Sequence, residues 1–225
     1  MVVPLFVLCL YAFAGGTERH SVDFYETTLG CNAAPEIGCG SRSKPVLLDL
    51  QNDSLVAEAW LNRAGTIIAV VWEDVSEPQA NYAAIDTIFA RHHLDAAIAH
   101  KERRTQLLEN FRTENAWYRG REVDQLSSEE AGILAERVAG MIEAYHPLED
   151  KLRAQVVAGV KAVFVKWFTD DALAARMHGD ECIEANQEIQ QEVIAVGSAL
   201  LGDEVIAEIM RRMEDPQREE SESDR

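Results

Sequence analysis

The sequence predicts an α+β protein: a βαββαβ unit in its first half, followed by an all-α helical bundle. Two observations lead there. Between Ser21 and His100, short runs of β-branched and aromatic residues alternate with stretches of helical spacing, punctuated by Gly and Pro. Beyond His100, apolar residues recur at helical spacing almost to the end of the chain. Composition agrees, since 225 residues with 47% hydrophobic and 27% charged side chains suit an ordinary globular protein of one large or two small domains.

The elements follow in order. Ser21 to Gly30 (SVDFYETTLG) reads as a strand that stops at its glycine. Gly38, Gly40, Ser41, Ser43 and Pro45 crowd the loop after it, with Ser43 as cap and Pro45 in the first turn of a helix running to about Asn52. Leu55–Asn62 and Thr66–Glu73 flank Arg63-Ala64-Gly65, the pattern of a β-hairpin. Tyr82, Ile85, Ile88 and Phe89 mark a second helix ending near His92, and Leu94–Ala99 is the closing strand.

In the second half, Ser127 to Glu130 has the spacing of a capping box, opening a helix with Ile133, Leu134, Val138, Met141, Ile142 and Tyr145 on one face. His146-Pro147 ends it. Leu148, Leu152, Val156, Val160, Val163, Phe164 and Trp167 mark a second helix to about Thr169. A third runs from about Glu181 to Leu201, and Gly202-Asp203 separates it from a short last helix through Met213. Trp117-Tyr118-Arg119 falls in a loop expected to dock on the bundle. The expected organisation is an apolar leader over 1–19, the βαββαβ unit over 20–100, the bundle over 101–213 and an acidic disordered tail over 214–225.

Charge narrows the partners. A formal net charge of −18, with acids in excess in both halves, leaves no basic surface for phosphate, so neither nucleic acid nor an anionic membrane is an expected partner. The apolar run Val2–Ala14 is too short for a membrane span. Ala12-Phe13-Ala14 matches a signal-peptidase site, but no Lys or Arg precedes the run and Pro4 interrupts it. A cytoplasmic location is expected, with a secreted or periplasmic one as the alternative if 1–14 is a signal peptide.

The strand SVDFYETTLG, the loop with Cys31 and Cys39, the segment DSLVAEAWLNRAGTIIAVVWE and the helix–strand DTIFARHHLDAAIA together resemble the heavy-metal-associated domain. The resemblance covers Ser21 to His100 and implies a ferredoxin-like fold that handles soft metal ions. That family's loop carries Cys-x-x-Cys, whereas seven residues separate Cys31 from Cys39 here. The helical half resembles no family.

Chemistry concentrates in this loop. In an antiparallel sheet of this topology the first strand ends where the last begins, so the loop is expected beside Arg91-His92-His93. Two thiolates and an imidazole suit copper(I), zinc or mercury(II), with Cys31 and Cys39 binding and His92 or His93 completing the shell. Glu36 and Glu26 add negative potential. Function is then binding of a soft heavy-metal ion for handling, sensing or resistance, without turnover, with no organic cofactor. The helical half would dock a protein partner or a second copy.

The same atoms allow another class. Cys39 precedes Gly40-Ser41-Arg42 at a helix N-terminus, where backbone N–H groups and Arg42 favour a thiolate. Cys39 is then a nucleophile and Cys31 its resolving partner, in a thiol–disulfide oxidoreductase or redox sensor. The string CGSR is similar to the CGTS loop of glutaredoxin-like arsenate reductases. In a third class the cysteines are buried small hydrophobes and the chain is a non-catalytic interaction protein. His178 and Cys182 are four apart, but Gly179-Asp180 breaks the helix between them. No Ser-His-Asp order, HExxH motif or nucleotide fingerprint is present.

Overall fold

A computed structural model describes residues 21–31, 34–73, 77–113 and 116–214. The leader over 1–19 and the tail after Glu214 lie outside the described residues. The α+β class holds: the described residues form one antiparallel sheet of five strands together with a set of helices.

The first half builds β1 (Val22–Thr27), α1 (Gly40–Asn52), β2 (Val56–Asn62), β3 (Ile67–Trp72), α2 (Pro78–Arg91) and β4 (Ala96–Ile98). The strand order is β4-β1-β3-β2-β5, where β5 is Trp117–Arg119. All six residues of central β3 are buried, as its unbroken apolar run IIAVVW requires of a strand covered on both faces. On β1 the pleat sends Tyr25 to one face with Leu47, Leu50, Ile85 and Phe89 of α1 and α2, and Phe24 to the other. The second face is covered by α3 (Lys101–Asn110), through Leu107, and by Phe111 and Trp117. Phe24, Phe111 and Trp117 meet there with ring centroids 5.2–6.0 Å apart.

The sheet therefore does not stop at His100. Trp117-Tyr118-Arg119 is an edge strand, paired through Asn62↔Trp117, Leu61↔Tyr118 and Trp60↔Arg119, rather than a loop docked on the bundle. Three residues are too few for a period-two signal, which explains why spacing alone missed it.

A 3-10 turn (Gly120–Val123) leads into α4 (Asp124–Glu143), followed by α5 (Asp150–Thr169), α6 (Asp171–His178), α7 (Cys182–Leu201) and α8 (Asp203–Glu214). Ala131, Ala135 and Ala139 form a buried seam at a spacing of four on α4, the helix that packs most extensively on α5. Trp167 and Phe168 of α5 fill the space between α4 and α7 with Ala185 and Ile189. The expected capping box is corrected: α4 starts three residues before Ser127, so Ser127 and Glu130 are buried inside it. Glu122 instead accepts the N–H of Arg119 at 2.8 Å and opens the preceding turn.

The two halves meet along the first turns of α1. That helix begins at Gly40 with Cys39 as N-cap, and Ser43 donates back to the Cys39 carbonyl at 2.6 Å instead of capping. Gly40 is pressed on the bundle: a Cβ there would lie 2.3 Å from Ser127 Oγ and 2.5 Å from the Val123 carbonyl oxygen. One turn on, the buried Lys44 ammonium reaches Asp124 at 3.0 Å, Asp171 at 2.7 Å and the Thr169 carbonyl at 3.0 Å. Three oxygens around one buried ammonium satisfy all its donors. They tie α1 to α4, α5 and α6.

Candidate functional site

Glycine decides how the loop after β1 is built. Gly30 and Gly38 form an antiparallel bridge, in which the Cys31 N–H donates to the Ile37 carbonyl at 3.0 Å and the Cys39 N–H to the Leu29 carbonyl at 2.7 Å. Gly65, in the β2–β3 turn at φ +69°, lies under this bridge, where a Cβ would come within 2.4 Å of the Leu29 oxygen and 2.6 Å of Gly38 Cα. The Gly38 N–H donates to the Arg63 carbonyl at 2.6 Å and completes the stack. Backbone packs on backbone because no side chain intervenes.

Since Gly30 faces Gly38, residues 29, 31, 37 and 39 share the other face. Cys31 opposes Ile37 and Cys39 opposes Leu29, so the two cysteines take diagonal positions of the bridge and not directly facing ones. Both cysteines are thiols, and both are buried.

Cys31 meets an acid brought in by α4, and Cys39 meets a hydroxyl two residues along its own helix. Cys31 Sγ donates to Glu130 Oε1 of α4 at 2.9 Å. Glu130 is only 6% exposed, and its Oε2 has no hydrogen-bond partner among the described residues. Burial pushes the Glu130 carboxyl above its ordinary range, against the smaller opposing effect of the Cys31 bond. Cys39 Sγ lies 3.4 Å from Ser41 Oγ, which is 2.9 Å from His178 Nε2 at the end of α6. Burial and the nearby Glu130 hold the Cys39 thiol above its ordinary range, against smaller opposing effects of Ser41, the Arg42 backbone N–H and the Arg42 charge.

The raised Glu130 carboxyl has a consequence for stability. A group whose folded pKa exceeds its unfolded value stabilises fully below the ordinary glutamate range and loses that contribution as pH rises through the folded value. Glu130→Gln keeps an acceptor for Cys31 and removes this loss. Urea midpoints at pH 5 and pH 8 are expected to shift in favour of the variant as pH rises, by about 1.4 kcal/mol for each unit of raised pKa. A wild-type minus variant difference that is flat with pH contradicts the buried carboxyl described here.

The histidines lie elsewhere. His92 Nε2 is 2.9 Å from Asp49, which also holds Arg91. Asp49 is ten residues beyond Cys39 along α1, a rise of about 15 Å. His93 is exposed in a left-handed turn at φ +50°. The expected neighbourhood of cysteines and His92-His93 fails for a structural reason: α1 starts among the bundle helices, so its cysteine end faces α4 and α6 while its far end meets the turn after α2. Among the described residues, no group of three or more His, Cys, Asp or Glu is placed to hold a metal ion.

Glu130, Ser41 and His178 thus join the site in roles that the sequence reading did not give them. Beside them opens a groove of about 600 Å³, lined in part by Glu36, Ile37, Arg63, Glu129, Ile133 and Lys161. Ile37 is the residue across from Cys31, and Glu129 precedes Glu130, so the groove reaches within one residue of both groups. No helix among the described residues is long and apolar enough to cross a membrane. No protein-family model, curated protein or solved structure matches the chain.

Proposed function

We propose that the chain is a thiol–disulfide oxidoreductase with Cys39 as nucleophile and Cys31 as resolving thiol, carried on a ferredoxin-like sheet to which the bundle adds the rest of the site. The position of Cys39 supports this reading above all. It is the N-cap of α1, where the Arg42 N–H and guanidinium favour the thiolate against the burial and the Glu130 charge that raise it, and Cys31 lies on the same face of the Gly30–Gly38 bridge. The strand order β4-β1-β3-β2 supports the ferredoxin-like reading, with β5 added at the edge.

The Cys39 thiolate attacks one sulfur of a substrate disulfide, that S–S bond breaks, and the departing half leaves as a thiolate that takes up a proton. Cys31, deprotonated in turn, attacks Cys39 Sγ and releases the second half as a thiol. The protein then holds a Cys31–Cys39 disulfide, having passed two electrons to the substrate, and an external dithiol returns them. Closing that bond requires the two cysteines to move toward one another from their diagonal positions on the bridge. In a reducing cytoplasm the resting form is the dithiol.

The test is peptide mapping after the fully reduced, full-length protein meets oxidised glutathione. Glutathione trapped on Cys39 in Cys31→Ser, and a Cys31–Cys39 disulfide in the wild type, are the expected results. Modification of Cys182 alone overturns the reading. So does stoichiometric uptake of zinc or copper(I), lost in Cys31→Ser/Cys39→Ser and unaccompanied by any mixed disulfide; that outcome favours soft-metal binding instead. If neither chemistry occurs, the loop is inert.

A further inference from the structure

A thiol that attacks a disulfide must first lose its proton, and Cys39 is buried where water does not reach it freely. We propose that Ser41 and His178 form a proton relay that ionises Cys39, with His178 as the acceptor; the inference rests on the redox reading above. Cys39 Sγ is 3.4 Å from Ser41 Oγ, and Ser41 Oγ is 2.9 Å from His178 Nε2. Ser41 is 3% exposed, whereas His178 lies at the surface. The chain of atoms therefore leads from a buried thiol to a ring that exchanges protons with solvent.

The direction follows from the hydroxyl's single proton. Ser41 donates it to one neighbour and accepts from the other. Partial burial of the ring and the Arg42 charge hold His178 below the ordinary histidine range, so it is neutral at pH 7 and its Nε2 accepts, in the tautomer that keeps the proton on Nδ1. In the step itself the Cys39 S–H bond breaks as Ser41 Oγ takes that proton. The Ser41 O–H proton passes to His178 Nε2, and the exposed ring, held below the ordinary histidine range, releases its Nδ1 proton to solvent, leaving a thiolate with no net redox change. The thiolate lies at the N-terminus of α1, facing the Arg42 guanidinium and N–H.

Other charges around the relay are fixed by their own partners or act in a known direction. Glu130 of α4 faces Cys39 and opposes its ionisation. Lys44, one turn further along α1, is held between Asp124 and Asp171. The same Lys44–Asp171 pair fastens the first turn of α6 to α1. The Asp170 carboxylate caps α6 by accepting the Ala172 and Leu173 N–H groups at 3.0 Å each. Both ends of the relay are thus on helices pinned to one another.

The experiment is the rate of alkylation of Cys39 by iodoacetamide between pH 6 and 9, resolved by peptide mass spectrometry on the full-length protein, with Cys182 as the internal standard. His178→Gln and Ser41→Ala are each expected to slow Cys39 at pH 7 by about tenfold or more and to move its pH profile to higher pH, with Cys182 unchanged. Ser41→Thr, which keeps the hydroxyl, is expected to restore most of the rate. Either slow variant suffices if the other fails to fold by circular dichroism. Cys39 reactive in the wild type but unaffected by both substitutions overturns the relay and leaves the redox reading standing. Cys39 no more reactive in the folded wild type than in urea at the same pH removes the redox reading and the relay with it.

Discussion

Gly65→Ala is expected to lower the free energy of unfolding by about 3 kcal/mol. A residue with a Cβ pays about 1–2 kcal/mol for the left-handed backbone at φ +69°. Overpacking adds about 1–3 kcal/mol, because the new methyl group would press on the Leu29 carbonyl and Gly38 Cα, both of them backbone. Gly65 also donates to the Asn62 carbonyl at 2.9 Å and accepts from Thr27 Oγ1 at 3.1 Å, so the turn cannot shift alone. Gly40→Ala is expected to lose less, since one of its clashes is with the movable Ser127 hydroxyl. Gly140→Ala, within α4 and with nothing inside 4 Å of its Cβ, is expected to gain about 0.5–1 kcal/mol. Urea denaturation of the three variants checks both the order and the signs.

Cys39→Ser is expected to abolish disulfide exchange while leaving stability within about 1 kcal/mol of wild type. A hydroxyl cannot form the S–S bond, so neither a mixed disulfide nor the Cys31–Cys39 bond is reachable. Stability hardly moves because two effects oppose each other: a buried polar group replaces a small hydrophobe, while serine is among the preferred N-caps and cysteine makes no side-chain cap bond here. Cys31→Ser separates the steps, since it keeps the first attack and loses the resolution. Thiol release from a chromogenic disulfide and a urea midpoint, measured on the same samples, test the pair. Loss of activity together with a loss of several kcal/mol would point to a structural role for Cys39.

Much of the fold was legible in the residues. The unbroken run Ile67–Trp72, the hairpin turn Arg63-Ala64-Gly65 and the stripe Tyr82, Ile85, Ile88, Phe89 each have one physical reading, and each forms the element expected. Trp117–Arg119 did not, because three residues carry no period, and its pairing with β2 depends on a partner more than fifty residues away. The site was half legible. A cysteine pair in a Gly-rich loop announces chemistry by residue type alone. Glu130 was masked because Ser-Ser-Glu-Glu fits a capping box equally well, and only the true start of α4 turns that carboxylate toward Cys31. His178 is separated from Ser41 by 137 positions, and no spacing rule links them. His92 and His93 misled because strand pairing fixes the neighbours of strand ends, whereas here α1 carries the cysteine end away into the bundle.

The most direct measurement of the central claim is an anaerobic redox titration of the full-length protein across glutathione buffers, with alkylation and peptide mapping at each ratio. The account predicts a single two-electron transition in which Cys31 and Cys39 convert together to one disulfide, absent from Cys31→Ser and Cys39→Ser. Both residues remaining thiols at every ratio, while the protein stays folded, would contradict it.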